Sequence, residues 1–182
     1  MLVLASQSPR RAELLRAAGI RFKVAPPAEE GANDAAARGG YAALVKAKAL
    51  AKARSAATGT REVVLGADTV VVCDKRVLGK PADKADARQM LELLSGRWHA
   101  VYTGVALVCG DRYKVAYERT EVAFRPLSKA EISRYLMSGE PMDKAGAYAI
   151  QGAGAGFVRA IWGCYTNVVG LPIPLVLQML ED

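Results

Sequence analysis

Cysteine, histidine and aromatic residues are all scarce in this chain. Three cysteines, Cys73, Cys109 and Cys164, are scattered through 182 residues with no Cys-x-x-Cys pair. That excludes a disulfide scaffold, argues against a cysteine zinc site, and fits a reducing cytoplasm. His99 is the sole histidine, so no Ser-His-Asp or Cys-His relay stands out. At a strand start it is expected to be structural. Aromatics make up 7% of the residues and are not interleaved with arginine as in a single-strand nucleic-acid binder. Trp98 and Trp162 are expected to be packing residues. No apolar run reaches the roughly 18 residues of a membrane span. The start, Met1-Leu2-Val3-Leu4-Ala5-Ser6, lacks a basic head and a long apolar stretch, so no signal peptide is expected.

What is present is the balance of a soluble globular protein: 52% hydrophobic and 24% charged residues. The length suits one domain over residues 1–182, with room for two lobes and a real core. The formal net charge is +7, yet no run of five or more basic residues occurs. Scattered cations fit a small phosphorylated ligand better than a duplex, against the plainer reading of a solvated basic surface.

Hydrophobic periodicity and punctuation alternate strands with helices. Leu2–Ala5 reads as a strand, then Ser8 as an N-cap with Pro9 opening a helix that Gly19 stops. Arg21–Ala25 is a strand, Ala28 to Gly40 a loop and Tyr41–Ala57 a helix. Val63–Cys73 is the most apolar strand, turned back at Asp74-Lys75. Asp83 caps a helix to Leu94, His99–Cys109 and Tyr113–Phe124 are strands, and Ser128 to Glu131 is a capping box. A Gly-rich stretch, a strand at Phe157–Trp162 and a helix from Pro172 to Leu180 complete the chain. Hairpins together with crossovers imply an α/β protein with a mixed β-sheet flanked by helices.

Four segments carry chemistry. Ser6, Ser8, Arg10 and Arg11 gather two hydroxyls and two guanidinium groups at a helix start, an anion cradle or an ordinary capped helix. Asp68 stands inside a run of valines, where an unpaired carboxylate is costly, so it must face a metal, a cation or water. Gly66 gives room for close backbone approach or a bulge. On a regular strand Asp68 and Thr69 point to opposite faces, so sharing one site requires the strand to bulge or end. Lys80, between Gly79 and Pro81, suits a phosphate or a pairing with Asp68, although the P-loop spacing is absent. Gln151 lies among glycines without the strand and helix of a dinucleotide fingerprint, placed to read a base edge or a phosphate. Asp143 and Lys144 can pair with each other. Any metal is expected to be a hard cation such as Mg²⁺ or Mn²⁺, held by carboxylates and phosphate.

Taken in order, Leu4-Ala5-Ser6-Gln7-Ser8-Pro9-Arg10-Arg11, Gly66-Ala67-Asp68-Thr69-Val70-Val71, Gly79-Lys80-Pro81, Tyr102-Thr103-Gly104-Val105, Asp143-Lys144-Ala145-Gly146-Ala147-Tyr148 with Gln151-Gly152, and Val168-Val169-Gly170-Leu171-Pro172 resemble the Maf family over nearly the whole chain. The resemblance implies an elongated fold with two lobes and a central cleft, similar to the inosine triphosphate pyrophosphatases, the Maf/Ham1-like arrangement. It further implies the branch that hydrolyses dTTP and UTP to the monophosphate and pyrophosphate, with a divalent metal cation as cofactor. In that resemblance Asp68 is the proton acceptor and Arg10, Thr69 and Gln151 set substrate specificity. Ser6, Arg11, Lys48 and Lys80 bind phosphate, and Glu30 with Asp68 holds the metal. The acidic pair often reads Asp-Glu in the family and is Glu29-Glu30 here, so either glutamate is a candidate ligand. The family also implies a homodimer acting on a small nucleoside triphosphate and a link to cell division, while the composition adds a cytoplasmic location with no membrane or nucleic acid as partner. House-cleaning of modified pyrimidine nucleotides is compatible with this. Two other readings stay open: a nucleotide- or nucleic-acid-binding regulator without turnover, and a pyrophosphatase for other modified nucleotides such as 7-methyl-GTP.

Overall fold

The computed structural model describes residues 1–27, 39–57 and 62–181. The strands are β1 (Leu2–Ala5), β2 (Phe22–Val24), β3 (Val63–Cys73), β4 (Arg76–Leu78), β5 (Trp98–Cys109), β6 (Arg112–Phe124) and β7 (Val158–Trp162). The helices are α1 (Pro9–Ala17), α2 (Gly40–Ala56), α3 (Lys84–Leu94), α4 (Lys129–Met137), α5 (Tyr165–Val169) and α6 (Ile173–Glu181). The fold is α/β with one seven-stranded sheet in the order β2-β1-β3-β5-β6-β7, and β4 pairs with β3 off that path. It is mixed, as expected: β1 is parallel to β2 and β3, while β3–β4 and β6–β7 are antiparallel.

The chain divides into two compact units, and β3, β5 and β6 contribute residues to both. The first unit comprises Met1–Thr69, Tyr102–Glu118 and Gly170–Asp182. Strand alternation sorts its core onto two faces of the sheet. Leu2, Leu4, Leu65, Ala67, Val105 and Leu107 pack with Ala12 and Leu15 of α1 and Val176 and Met179 of α6. Val3, Ala5, Val64, Ala106 and Val108 pack with Ala49 and Ala53 of α2. On this second face two glycines set the helix distance. A Cβ at Gly66 would lie 2.3 Å from the Ala49 carbonyl oxygen, and one at Gly104 would lie 2.1 Å from that of Val45. Of the two expectations for Gly66, close backbone approach is the one realised.

The second unit comprises Val70–Val101 and Arg119–Val169. The β3–β4 hairpin turns at Asp74 and Lys75 with φ of 47° and 65°, the left-handed pair of a two-residue hairpin. Asp83 caps α3 by accepting the Asp86 N–H at 2.8 Å. At α4 the Ser128–Glu131 capping box is complete. The core includes an aromatic nest in which Phe124 meets His99, Tyr148 and Phe157 edge-on. His99 is structural, as expected: it is buried, its Nε2 lies 2.8 Å from the Tyr148 hydroxyl, and its Nδ1 has no partner among the described residues. Burial lowers its pKa to about 4.

Three expectations change. Trp98 and Trp162 are 48% and 77% exposed rather than packed. They are the first residue of β5 and the last of β7, and a strand terminus leaves even a large side chain outside the core. Ser8 stands at the N-cap of α1 but its side chain makes no capping bond. Instead its N–H donates to Ser6 Oγ at 3.2 Å. Helix α5 has no counterpart among the elements expected from periodicity. The loop expected from Ala28 to Gly40 falls mostly outside the described residues.

Candidate active site

The pairing of β1 with β3 ends at Ala5 opposite Gly66. Asp68 and Thr69 follow on β3, past the carboxyl end of β1, where open α/β sheets commonly bind ligands. Two polar groups assemble there within the first unit, one on each face of the sheet.

On the α1 face, Arg11 is the organiser. It is buried, and its guanidinium donates through Nε to the Gly170 carbonyl at 2.9 Å, through Nη1 to Ser6 Oγ at 3.1 Å and through Nη2 to Thr69 Oγ1 at 3.2 Å. Thr69 Oγ1 also lies 2.9 Å from the hydroxyl of the fully buried Thr103. These contacts fix a rigid guanidinium fork beside two hydroxyls at the start of α1, a geometry suited to phosphate. Arg10, one residue earlier on the helix, is half-buried.

On the α2 face, Asp68 Oδ1 accepts from Lys52 Nζ at 2.8 Å. The two side chains are only 13% and 15% exposed. A carboxylate among valines was expected to face a cation, and it does. The cation is Lys52, one of three lysines on α2, and not Lys80. Lys80 is exposed in the second unit and has no ion pair among the described residues. Lys48, one turn before Lys52, is half-buried. The strand is continuous from Val63 to Cys73. The strand end or bulge expected for a site shared by Asp68 and Thr69 does not form: Asp68 bonds Lys52 of α2, Thr69 bonds Arg11 of α1, and the two keep opposite faces of the stretch of β3 beyond the last β1 pairing.

In the second unit Gln151 is exposed between the buried Ile150 and a Gly-rich turn, Gly152–Phe157. Asp143 and Lys144 form an ion pair, as the sequence suggested. Glu29 and Glu30 lie outside the described residues. Among the described residues no group of three or more metal-ligating side chains occurs. No described helix is long and apolar enough to cross a membrane.

Sequence reasoning missed Lys52 and Thr103 as members of these groups. Lys52 had a faint signal, its helical spacing of four from Lys48. Thr103 stood in the Tyr102-Thr103-Gly104-Val105 motif without a role.

A family model described as Maf-like protein matches residues 1–182. The chain belongs to the Maf family. Its relatives include a protein of Symbiobacterium thermophilum named dTTP/UTP pyrophosphatase, 55% identical over 100% of this chain and 93% of the relative. Proteins of the same name from Gloeobacter violaceus and Bacillus anthracis are 50% and 47% identical, each over 100% of this chain and 95% and 94% of the relative. Among solved structures, a HAM1 protein from Coxiella burnetii has a TM-score of 0.55 at 19% identity, covering 100% of this chain and 98% of that one. The Staphylococcus aureus Ham1 protein has a TM-score of 0.56 at 13% identity, covering 99% and 97%. At those identities the likeness concerns the fold, and it agrees with the Maf/Ham1-like arrangement expected for a Maf chain.

Proposed function

We propose that the chain is a nucleoside triphosphate pyrophosphatase that hydrolyses dTTP and UTP to the monophosphate and pyrophosphate. One observation carries the reading: the largely buried Asp68–Lys52 pair and the Ser6–Arg11–Thr69 cradle lie on opposite faces of the same stretch of β3, both past the end of β1. The shared name of the relatives, dTTP/UTP pyrophosphatase, supports the choice of substrates.

In the proposed reaction a water oxygen attacks the α-phosphorus and the α–β anhydride bond breaks. Its electron pair leaves on pyrophosphate, and Asp68 takes the water's proton. Lys52 holds the Asp68 carboxylate in one orientation. Arg11, Lys48 and Lys80 meet the phosphate charge, and Ser6 fixes its position. Arg10, Thr69 and Gln151 select the base.

A hard divalent cation fits this donor chemistry, because Mg²⁺ is usually held by one or two carboxylates together with substrate phosphates. Asp68 is such a carboxylate among the described residues, and Glu30 is the second ligand in this proposal. When bound, the ion neutralises charge on the phosphate oxygens. A cytoplasmic homodimer using Mg²⁺ or Mn²⁺ completes the proposal.

The test is a substrate panel. The purified protein is mixed with dTTP, UTP, CTP, dATP or 7-methyl-GTP and Mg²⁺ or Mn²⁺, and pyrophosphate is measured. Release from dTTP and UTP well ahead of the others is expected. Binding without pyrophosphate release indicates a regulator, and preference for 7-methyl-GTP indicates the other nucleotide class.

A further inference from the structure

Both oxygens of the Glu140 carboxylate are hydrogen-bonded, and their partners, the Tyr135 hydroxyl and the Ala153 and Gly154 N–H groups, frame Gln151. Gly139, at φ 74°, turns the chain out of α4 into Glu140. Glu140 Oε1 accepts the Tyr135 hydroxyl at 2.8 Å and the Gly154 N–H at 3.2 Å. Its Oε2 accepts the Ala153 N–H at 3.2 Å. The Tyr135 hydroxyl in turn accepts the Ala149 N–H at 3.1 Å. Backbone on both sides of Gln151 is thus tied to one buried tyrosine and one carboxylate.

Two glycines make the close fit feasible. A Cβ at Gly152 would come 2.7 Å from Glu140 Oε2. One at Gly154 would come 2.3 Å from the Ala149 carbonyl and 2.9 Å from the Tyr135 hydroxyl. Lys144 Nζ adds a bond to the Glu140 carbonyl at 2.6 Å. Ala149 and Ile150 are buried and Gln151 is exposed, so the frame ties the backbone on either side of Gln151 and leaves the residue itself open to solvent. A rigid support of this kind is what a hydrogen-bonding readout group needs, since a hydrogen bond to the base weakens steeply with distance and misalignment.

We propose that Glu140 and Tyr135 are positioning residues that hold Gln151 for recognition of the nucleobase, so that preference for uracil and thymine depends on them. This rests on the reading of Gln151 as the base-reading residue. A primary amide can accept from the N3–H of such a base and donate to a neighbouring carbonyl, but only from a fixed distance.

The experiment compares Glu140→Gln, Tyr135→Phe, Gln151→Ala and the double variant Glu140→Gln/Gln151→Ala in steady-state hydrolysis of dTTP and CTP. Each single variant is expected to raise KM for dTTP by about tenfold, keep kcat within about threefold, and narrow the dTTP-to-CTP ratio of kcat/KM. The double variant should be no worse than Gln151→Ala alone, because residues that act as a unit are not additive. Tyr135→Phe removes one hydroxyl and keeps the ring, so the question stays answerable if Glu140→Gln fails to fold. If Gln151→Ala changes KM and the ratio while Tyr135→Phe and Glu140→Gln do not, the positioning role is overturned and the base-reading role stands. The positioning role is overturned as well if the Glu140→Gln effect persists in full on the Gln151→Ala background. If Gln151→Ala itself is silent, the base-reading role falls and the positioning role falls with it.

Discussion

Replacing Gly66 with alanine tests whether helix α2 carries part of the site. The added methyl would lie 2.3 Å from the Ala49 carbonyl oxygen, 2.7 Å from the Ala53 N and 2.9 Å from the Ala53 Cβ. Ordinary contact begins near 3.4 Å, so the helix has to retreat by about 1 Å. Overpacking of this kind costs typically about 1–3 kcal/mol. Lys52 lies on the same turn, between Ala49 and Ala53, and its bond to Asp68 is 2.8 Å long. A retreat of that size stretches the bond toward 4 Å, outside hydrogen-bond range, and frees the carboxylate to swing. Turnover of dTTP should then fall on the order of 100-fold. Urea unfolding gives the stability change and pyrophosphate release gives the rate. Gly156→Ala is the control, since a Cβ there meets nothing within 4 Å, and surface changes usually stay within about 0.5 kcal/mol. A Gly66→Ala protein with unchanged stability would refute the packing argument. One that is destabilised yet turns over normally would break the link from α2 to Asp68.

Acid should expose the buried histidine. The pKa of His99 is about 4 in the fold against 6.5 ordinarily, so the unfolded chain binds a proton first as pH falls. Its contribution is complete above pH 6.5 and is lost on descent to pH 4, a change of about 3 kcal/mol, and His99→Gln should flatten urea midpoints over that window. Glu131 titrates lower: hydrogen bonds from Arg125 and Ser128 bring its pKa from 4.5 to about 2, so its contribution holds above pH 4.5 and fades toward pH 2. Arg11→Lys keeps the charge but cannot reproduce the three-way fork to Gly170, Ser6 and Thr69. Its kcat/KM should fall about tenfold or more, alike for dTTP and UTP, and a change confined to one base would contradict a phosphate role.

Local signals were legible where one or two residues decide the backbone. The Asp74-Lys75 turn, the Asp83 cap and the Ser128–Glu131 box all formed where the sequence placed them. Periodicity likewise marked β1 and β3, whose apolar residues divide cleanly between the two faces of the sheet. The demand that Asp68 face a cation was also readable, because burying a lone carboxylate is costly. Which cation was not readable. Lys46, Lys48 and Lys52 are equivalent in sequence, and the choice depends on how α2 crosses the sheet at Gly66 and Gly104. Thr103 was hidden for the same reason, since its hydroxyl gains meaning only from the register that puts β5 beside Thr69. Glu140 carried no signal in the sequence, because its role comes from the Ala153 and Gly154 N–H groups and the Tyr135 hydroxyl that only the fold brings to it. The tryptophans misled because residue type suggests burial, whereas both occupy strand ends.

The most direct measurement is pyrophosphate release from dTTP by Asp68→Asn, alongside a check that the variant unfolds at the same urea concentration as the parent. Asparagine keeps the shape and removes the proton-accepting charge. A folded protein whose turnover falls by about 100- to 10,000-fold is expected. A folded variant with turnover close to that of the parent would contradict the proton-accepting role of Asp68.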